Sequence, residues 1–317
     1  MQNVKKLTEI VRLKIKLFTY ADAYKSGQKE NIKTTLQKIF QLLEQNISIV
    51  ENTVPKKTKV DFVSIGSVFI IRHIADSFKL NYSHILNSKQ IRDLFNNYSA
   101  QYRERINALE EIPNCHNLQV KANLLSGSDA ETILYYLEKE SMAELKVQAR
   151  ENSFFPPDSI SNTISYPLAN FVQFLYSIRY VKNKSFKQQL MKRYNKLKKE
   201  FQEIEKNLGA DFYNEAFKEL NHLFTHYSRE ITSSIENDYT AESFPGFDIA
   251  IEKRDQIQAL LILLNKKRKI NEIKRKIAIS DRKLKEHASE FIFRYKLSDS
   301  SYYPKSFWWH HLASLSK

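Results

Sequence analysis

Glycine is what this sequence lacks. It has five in 317 residues, about 1.6 % against an ordinary ~7 %, and only seven prolines, so the residues that reverse a chain tightly are scarce. A fold of many short strands needs such reversals repeatedly and is excluded on that ground. The five stand at Gly27, Gly66, Gly127, Gly209 and Gly246, and no two are close enough to share a phosphate-cradling loop, a dinucleotide-binding turn or a nucleophile elbow. Enzyme classes built on those turns are set aside. No cofactor and no small-molecule substrate is expected, and the chain reads as non-catalytic.

Apolar residues recur at three- and four-residue spacing almost throughout, the pattern of helices with one buried stripe. Ile32, Leu36, Ile39, Phe40 and Leu43 mark one such helix. The stretch from Ile65 to Leu80 is apolar on most sides and belongs at a centre. Ser88 is placed to cap the helix carrying Ile91 and Phe95, and Ser128 with Glu131 has capping-box spacing. Asp248 to Leu297 reads as one long element with a heptad-like seam through Ile270, Ile273, Ile277, Leu284, Ala288, Phe291 and Tyr295. The expected fold is all-α, an irregular α-solenoid or helical-repeat array of about ten helices with no significant sheet. Pro156, Pro157 and Pro167 with their Ser and Asn neighbours suggest a linker at 152–167. It separates an N-terminal half (1–151) from a basic C-terminal half (168–297), which an aromatic tail follows (298–317).

Net charge is +14, and the excess is concentrated. Lys182 to Lys199 holds eight cations and no acid, Lys266 to Lys296 holds twelve against four acids, and outside these two +8 windows the chain nets −2. Both windows also carry an apolar helical stripe, so their cations belong on the solvent side of folded helices. Backbone phosphate is the partner such faces suit, with Lys184, Lys187, Lys192, Arg193, Lys196, Lys199, Lys267, Arg268, Lys274, Arg275 and Lys276 as the expected contacts. No apolar run reaches the ~20 residues a bilayer span requires, so integral membrane insertion is not expected. The lone Cys115 excludes an internal disulfide. The first helix, with Val4, Leu7, Val11, Ile15 and Phe18 on one face beside Lys5, Lys6, Arg12, Lys14 and Lys16, has the basic amphipathic character of an organellar transit segment. That points to a mitochondrial matrix location, the alternative being cytoplasmic.

Three side-chain groupings invite chemistry. His222, His226 and Glu230 recur every four residues, which places them on one helix face; they read as a polar stripe, and no metal site is assigned. Arg282 and His287 resemble the Arg-x4–6-His element of HEPN ribonucleases, which implies an alternative role as a dimeric RNA-cleaving enzyme. The tail gathers Tyr302, Tyr303, Phe307, Trp308, Trp309, His310 and His311; Phe307, Trp308 and Trp309 either fold back on their own chain or anchor a partner.

Two stretches share a pattern of apolar helix, short polar joint and second helix: FVSIGSVFIIRHIADSFKLNYSHILNSKQIRDLF (62–95) and LANFVQFLYSIRYVKNKSFKQQLMKRYNKL (168–197). They resemble the paired-helix units of octotricopeptide and FAST-kinase-like proteins, organellar RNA-binding families, over about 64 of 317 residues. No segment resembles the RAP domain that often accompanies those repeats, so no nuclease activity is implied. Together with the basic amphipathic first helix and the two cationic faces, the resemblance points to a non-catalytic RNA-associated or scaffolding subunit of a large ribonucleoprotein, most specifically a mitochondrial ribosome or related organellar RNA assembly, with RNA and neighbouring protein subunits as partners. A helical protein-interaction subunit or effector that binds no nucleic acid is the remaining alternative.

Overall fold

In a computed structural model of the chain, residues 2–24, 26–53, 62–112, 115–151, 163–236, 246–265, 270–295 and 303–315 are described. Regular structure among them is all helical, with no strand. They form two compact units, Met1–Thr132 with Tyr180–Leu190, and Ile133–Arg179 with Met191–Lys317. Of the stretch read as a linker, 152–162 lies outside the described residues. The helices on either side of it belong to the same unit.

The first unit contains α1 (Gln2–Asp22), α2 (Lys29–Thr53), α3 (Phe62–Asn81), α4 (Lys89–Glu110), α5 (Cys115–Ser126) and the start of α6 (Ser128–Tyr136). Every residue from Val63 to Ile71 is buried, so α3 is central and packs on α1, α2, α4 and α5. Its Gly66 lets the α5 backbone approach closely, since a methyl group there would overlap the Cβ of Ala122. An aromatic cluster fills the far end: Phe78 stacks on Phe95 at 5.7 Å, Phe40 on Tyr98 at 4.8 Å, and Phe18 meets Tyr82 edge-on at 5.4 Å.

α1 is part of this core, with Leu7, Val11 and Leu17 fully buried. Lys14, counted above with the helix's basic face, is buried as well. It shares the Leu7–Val11–Phe18 stripe, and its Nζ lies 2.8 Å from Glu131 Oε2 and donates to Thr132 Oγ1 at 2.9 Å. Glu131 is thereby drawn to Lys14 as an ion-pair partner, the residue expected to close a capping box with Ser128. Ser88 does stand at the N-cap of α4, but its hydroxyl makes no capping bond. Arg105 ties α4 to α2, donating to Glu51 at 2.8 and 2.7 Å and to Glu44 at 3.0 Å.

The second unit continues α6 through a π-helical turn, Leu137–Ser141, into α7 (Met142–Glu151). It then contains α8 (Ser165–Ser177), most of α9 (Lys184–Leu208), α10 (Ala210–Glu236), α11 (Gly246–Leu264), α12 (Asn271–Glu286), α13 (Ala288–Tyr295) and the short α14 (Leu312–Leu315). Asp248 to Leu297 is therefore not one helix. The seam residues from Ile270 to Phe291 are buried as expected, but the helix is interrupted at His287, whose backbone N–H closes onto the Lys283 and Lys285 carbonyls. Residues 266–269, where Lys267 and Arg268 fall, lie outside the described residues.

Side-chain ties in this unit repeat at a nearly constant lag along the chain. Arg193 reaches Glu138 across 55 residues, Lys146 reaches Glu200 across 54, Ser165 reaches Glu219 across 54, Tyr227 reaches Asp281 across 54 and Trp309 reaches Asp255 across 54. Phe171 and Phe174 of α8 pack on Tyr194 of α9 at 5.5 and 4.8 Å, so the 168–197 stretch is a packed helix pair. Arg254 of α11 donates twice to Asp281 of α12, at 2.9 and 3.0 Å, while the Tyr227 hydroxyl of α10 donates to the same carboxylate at 2.8 Å. Three helices thus meet at one charge pair, its Arg254 buried and its Asp281 half-buried.

Candidate nucleic-acid interface

α9 buries Tyr194, Leu197 and Phe201 within the second unit. At 100° per residue, Lys192, Lys196 and Lys199 stand on the opposite side of the helix, and all three are exposed. Lys198 is exposed as well, on the flank of the buried stripe. Lys192, Lys198 and Lys199 have no ion-pair partner among the described residues, and Lys196 has only Glu200 at 3.9 Å, which itself pairs with Lys146 at 2.7 Å. Arg193 differs: it is half-buried and spent on Glu138 at 2.7 Å. Lys184 and Lys187 belong to the first unit, the former exposed and the latter half-buried.

The α12 face is built the same way. Ile273, Ile277 and Leu284 point inward, and Arg275 and Arg282, seven residues apart, stand opposite with exposed Ile279 between them. Lys283 is exposed alongside. Arg275, Arg282 and Lys283 have no ion-pair partner among the described residues. Lys276 pairs with Glu272 at 2.8 Å and Lys274 donates to Asn265 at 2.6 Å. Lys285 lies over the Trp308 ring at 4.3 Å. The expected set is thereby reduced: Arg193, Lys274 and Lys276 have bonds of their own, whereas Lys192, Lys199 and Arg275 are open to solvent. Arg282 joins them, opposite its buried stripe, as do Lys283 and Lys198, exposed on the flanks of theirs.

Arg282 is exposed on α12 and His287 stands at the C-cap of that helix. Five residues carry the chain about 140° round the helix, and His287 Nδ1 lies 3.1 Å from Glu290 Oε2 at the α12 end. His222 and His226 have ring centroids 4.4 Å apart, but Arg229 Nη2 occupies His226 Nδ1 at 2.9 Å. Burial, with His222, Lys253 and Arg229 behind it, lowers the His226 pKa. Among the described residues no group of three or more His, Cys, Asp and Glu side chains is placed to hold a metal, and no helix is long and apolar enough to cross a membrane.

The tail takes the fold-back arrangement. Phe307 and Trp309 are buried; Trp309 Nε1 donates to Asp255 at 2.8 Å and its ring lies under Arg254 at 4.2 Å. Only Trp308 of the three expected anchors keeps part of its surface. Comparison of the chain with known protein families, with curated proteins and with solved structures finds no match.

Proposed function

We propose that the chain is a non-catalytic RNA-associated subunit that holds a polynucleotide backbone on the cationic ridges of α9 and α12. The observation that carries this reading is the placement of Lys192, Lys199, Arg275, Arg282 and Lys283. Each is exposed, opposite the buried stripe of its helix or on its flank, and none has an ion-pair partner among the described residues. Holding such cations unneutralised on rigid helices favours a polyanion and releases its counterions on contact. Lysines dominate α9, which suits sequence-independent phosphate contact more than base reading. The specific candidate setting is a mitochondrial ribosome or related organellar RNA assembly, with α1 retained because it carries core residues.

Filter binding of structured and single-stranded RNA tests this directly. Affinity should fall steeply between about 50 and 200 mM salt, and replacing Lys192, Lys196 and Lys199 by Glu should lower the log–log salt slope by roughly 2 on single strands. Salt-insensitive binding, or an unchanged slope in that variant, rejects the ridges.

A further inference from the structure

A cavity of about 320 Å³ opens in the second unit between α8, α11 and the tail. α8 lines it with Tyr166, Asn170 and Gln173, a single stripe at i, i+4 and i+7. α11 supplies Glu252, and Tyr303 with His310 forms the third wall, their rings stacked at 3.6 Å and 4°. Asp255 also faces this space, but its carboxylate is used to hold the tail: Trp309 Nε1 and His310 Nε2 both lie 2.8 Å from its Oδ1. Glu252 is not so used; it accepts from Gln256 Nε2 at 3.2 Å.

Acidic side chains line this space although the protein is strongly basic, Glu252 beside Asp255. Burial raises the Tyr166 pKa, and the charges of Glu252 and Glu140 add to the rise. Glu252 itself is exposed to solvent; the partial desolvation it does undergo raises its carboxyl, Lys253 beside it on α11 opposes the rise and Asp255 adds to it. A carboxylate, carboxamides and aromatic rings around one hollow supply the charge, the acceptors and the π surface that a hydrogen-bonding cation needs. The volume lies at the lower end of the ~300–1,000 Å³ common for small-ligand sites.

We infer that this cavity binds an organic cation, an ammonium or guanidinium group on a short aliphatic chain, with Glu252 as its counter-ion. A phosphate-bearing guest would meet the same carboxylates and be repelled, so the site is separate from the ridges and stands whether or not RNA binds there. The cation has two sources, a free polyamine or a Lys or Arg side chain of another polypeptide.

Agmatine, which carries both groups, is titrated into the full chain by calorimetry and by fluorescence, because the protein's two tryptophans both sit in the tail that walls the cavity. Saturable binding is expected, and Glu252→Gln should weaken it about threefold to fivefold, the upper range of an exposed ion pair, with an unchanged melting temperature. Glu252→Asp should restore part of the affinity. Tighter binding of spermidine than of an acetylated, amidated Gly-Arg-Gly peptide assigns the free amine as source, and the reverse order assigns a side chain. No saturable signal up to about 10 mM, near the weak end of useful affinity, overturns the assignment. So does equal binding by Glu252→Gln, or equal binding of uncharged butylurea.

Discussion

Glu219 is a residue on which folding and protonation compete. Its carboxylate accepts hydrogen bonds from the Ile164 and Ser165 backbone N–H groups, both at 3.0 Å, and from the Ser165 hydroxyl at 2.5 Å, satisfying donors that the start of α8 would otherwise leave open. Burial nevertheless outweighs these bonds and pushes its pKa up to about 7, and burial likewise pushes Asp129 up to about 6 against the pull of Lys14. A folded-state value above the unfolded one means that the native chain holds the proton more tightly. Stability from these groups is therefore fully present below about pH 4 and is lost as the pH rises toward 7. Urea titrations should show this decline, and Glu219→Gln should flatten it by on the order of 3 kcal/mol. Lys14 poses the complementary case. Lys14→Met leaves Glu131 buried without its cation and should cost about 3–5 kcal/mol, most of which the double replacement with Glu131→Leu should recover in the same titration. The spacing of Leu7, Val11, Lys14 and Phe18 already put Lys14 on the buried stripe. Its partner was hidden, because 117 positions separate it from Glu131 and pairing across that distance has no periodic trace.

Among the elements, α3 shows how a helix whose first half, Val63 to Ile71, has no exposed side is accommodated. Four helices cover it, and at Gly66 the cover is close enough to admit no side chain at all. Gly66→Ala should therefore destabilise strongly, by about 3 kcal/mol or more if α5 cannot shift, and Ala122→Gly in the same chain should restore much of the loss on thermal melting. Gly127 is constrained differently: its φ of +87° turns the chain between α5 and α6, beneath Phe186. Helix positions and buried stripes were legible in the sequence because a 3.6-residue period is a local signal. The interruption at His287 was not, since the heptad seam runs across it undisturbed and only backbone capping marks the break. The aromatic tail was legible as a group too large to leave in water, yet Asp255, the residue that holds it, carries nothing in its own neighbourhood to announce that role.

For the molecule as a whole, charge and burial divide the labour: the same two helices that supply Tyr194, Phe201, Ile277 and Leu284 to the core carry the exposed cations. If both ridges touch one polynucleotide, reversing Arg275, Arg282 and Lys283 together with the α9 lysines should reduce the salt slope by the sum of the separate effects; binding by one ridge alone would leave the variant of the other ridge like the parent. Clustering of charge made these ridges legible before any coordinate. It could not tell Lys192 from Arg193, because which neighbour falls beside an acid such as Glu138 is decided by packing across 55 residues. That recurring interval of about 54 residues has a consequence for how the second unit comes together. Closing a loop of that length costs about 3.5 kcal/mol in chain entropy, nearly the same at every tie. No tie in that series has to wait for a remote part of the polypeptide, so the unit can accrete a helix at a time behind an advancing ribosome, each arrival seated by a stretch already made.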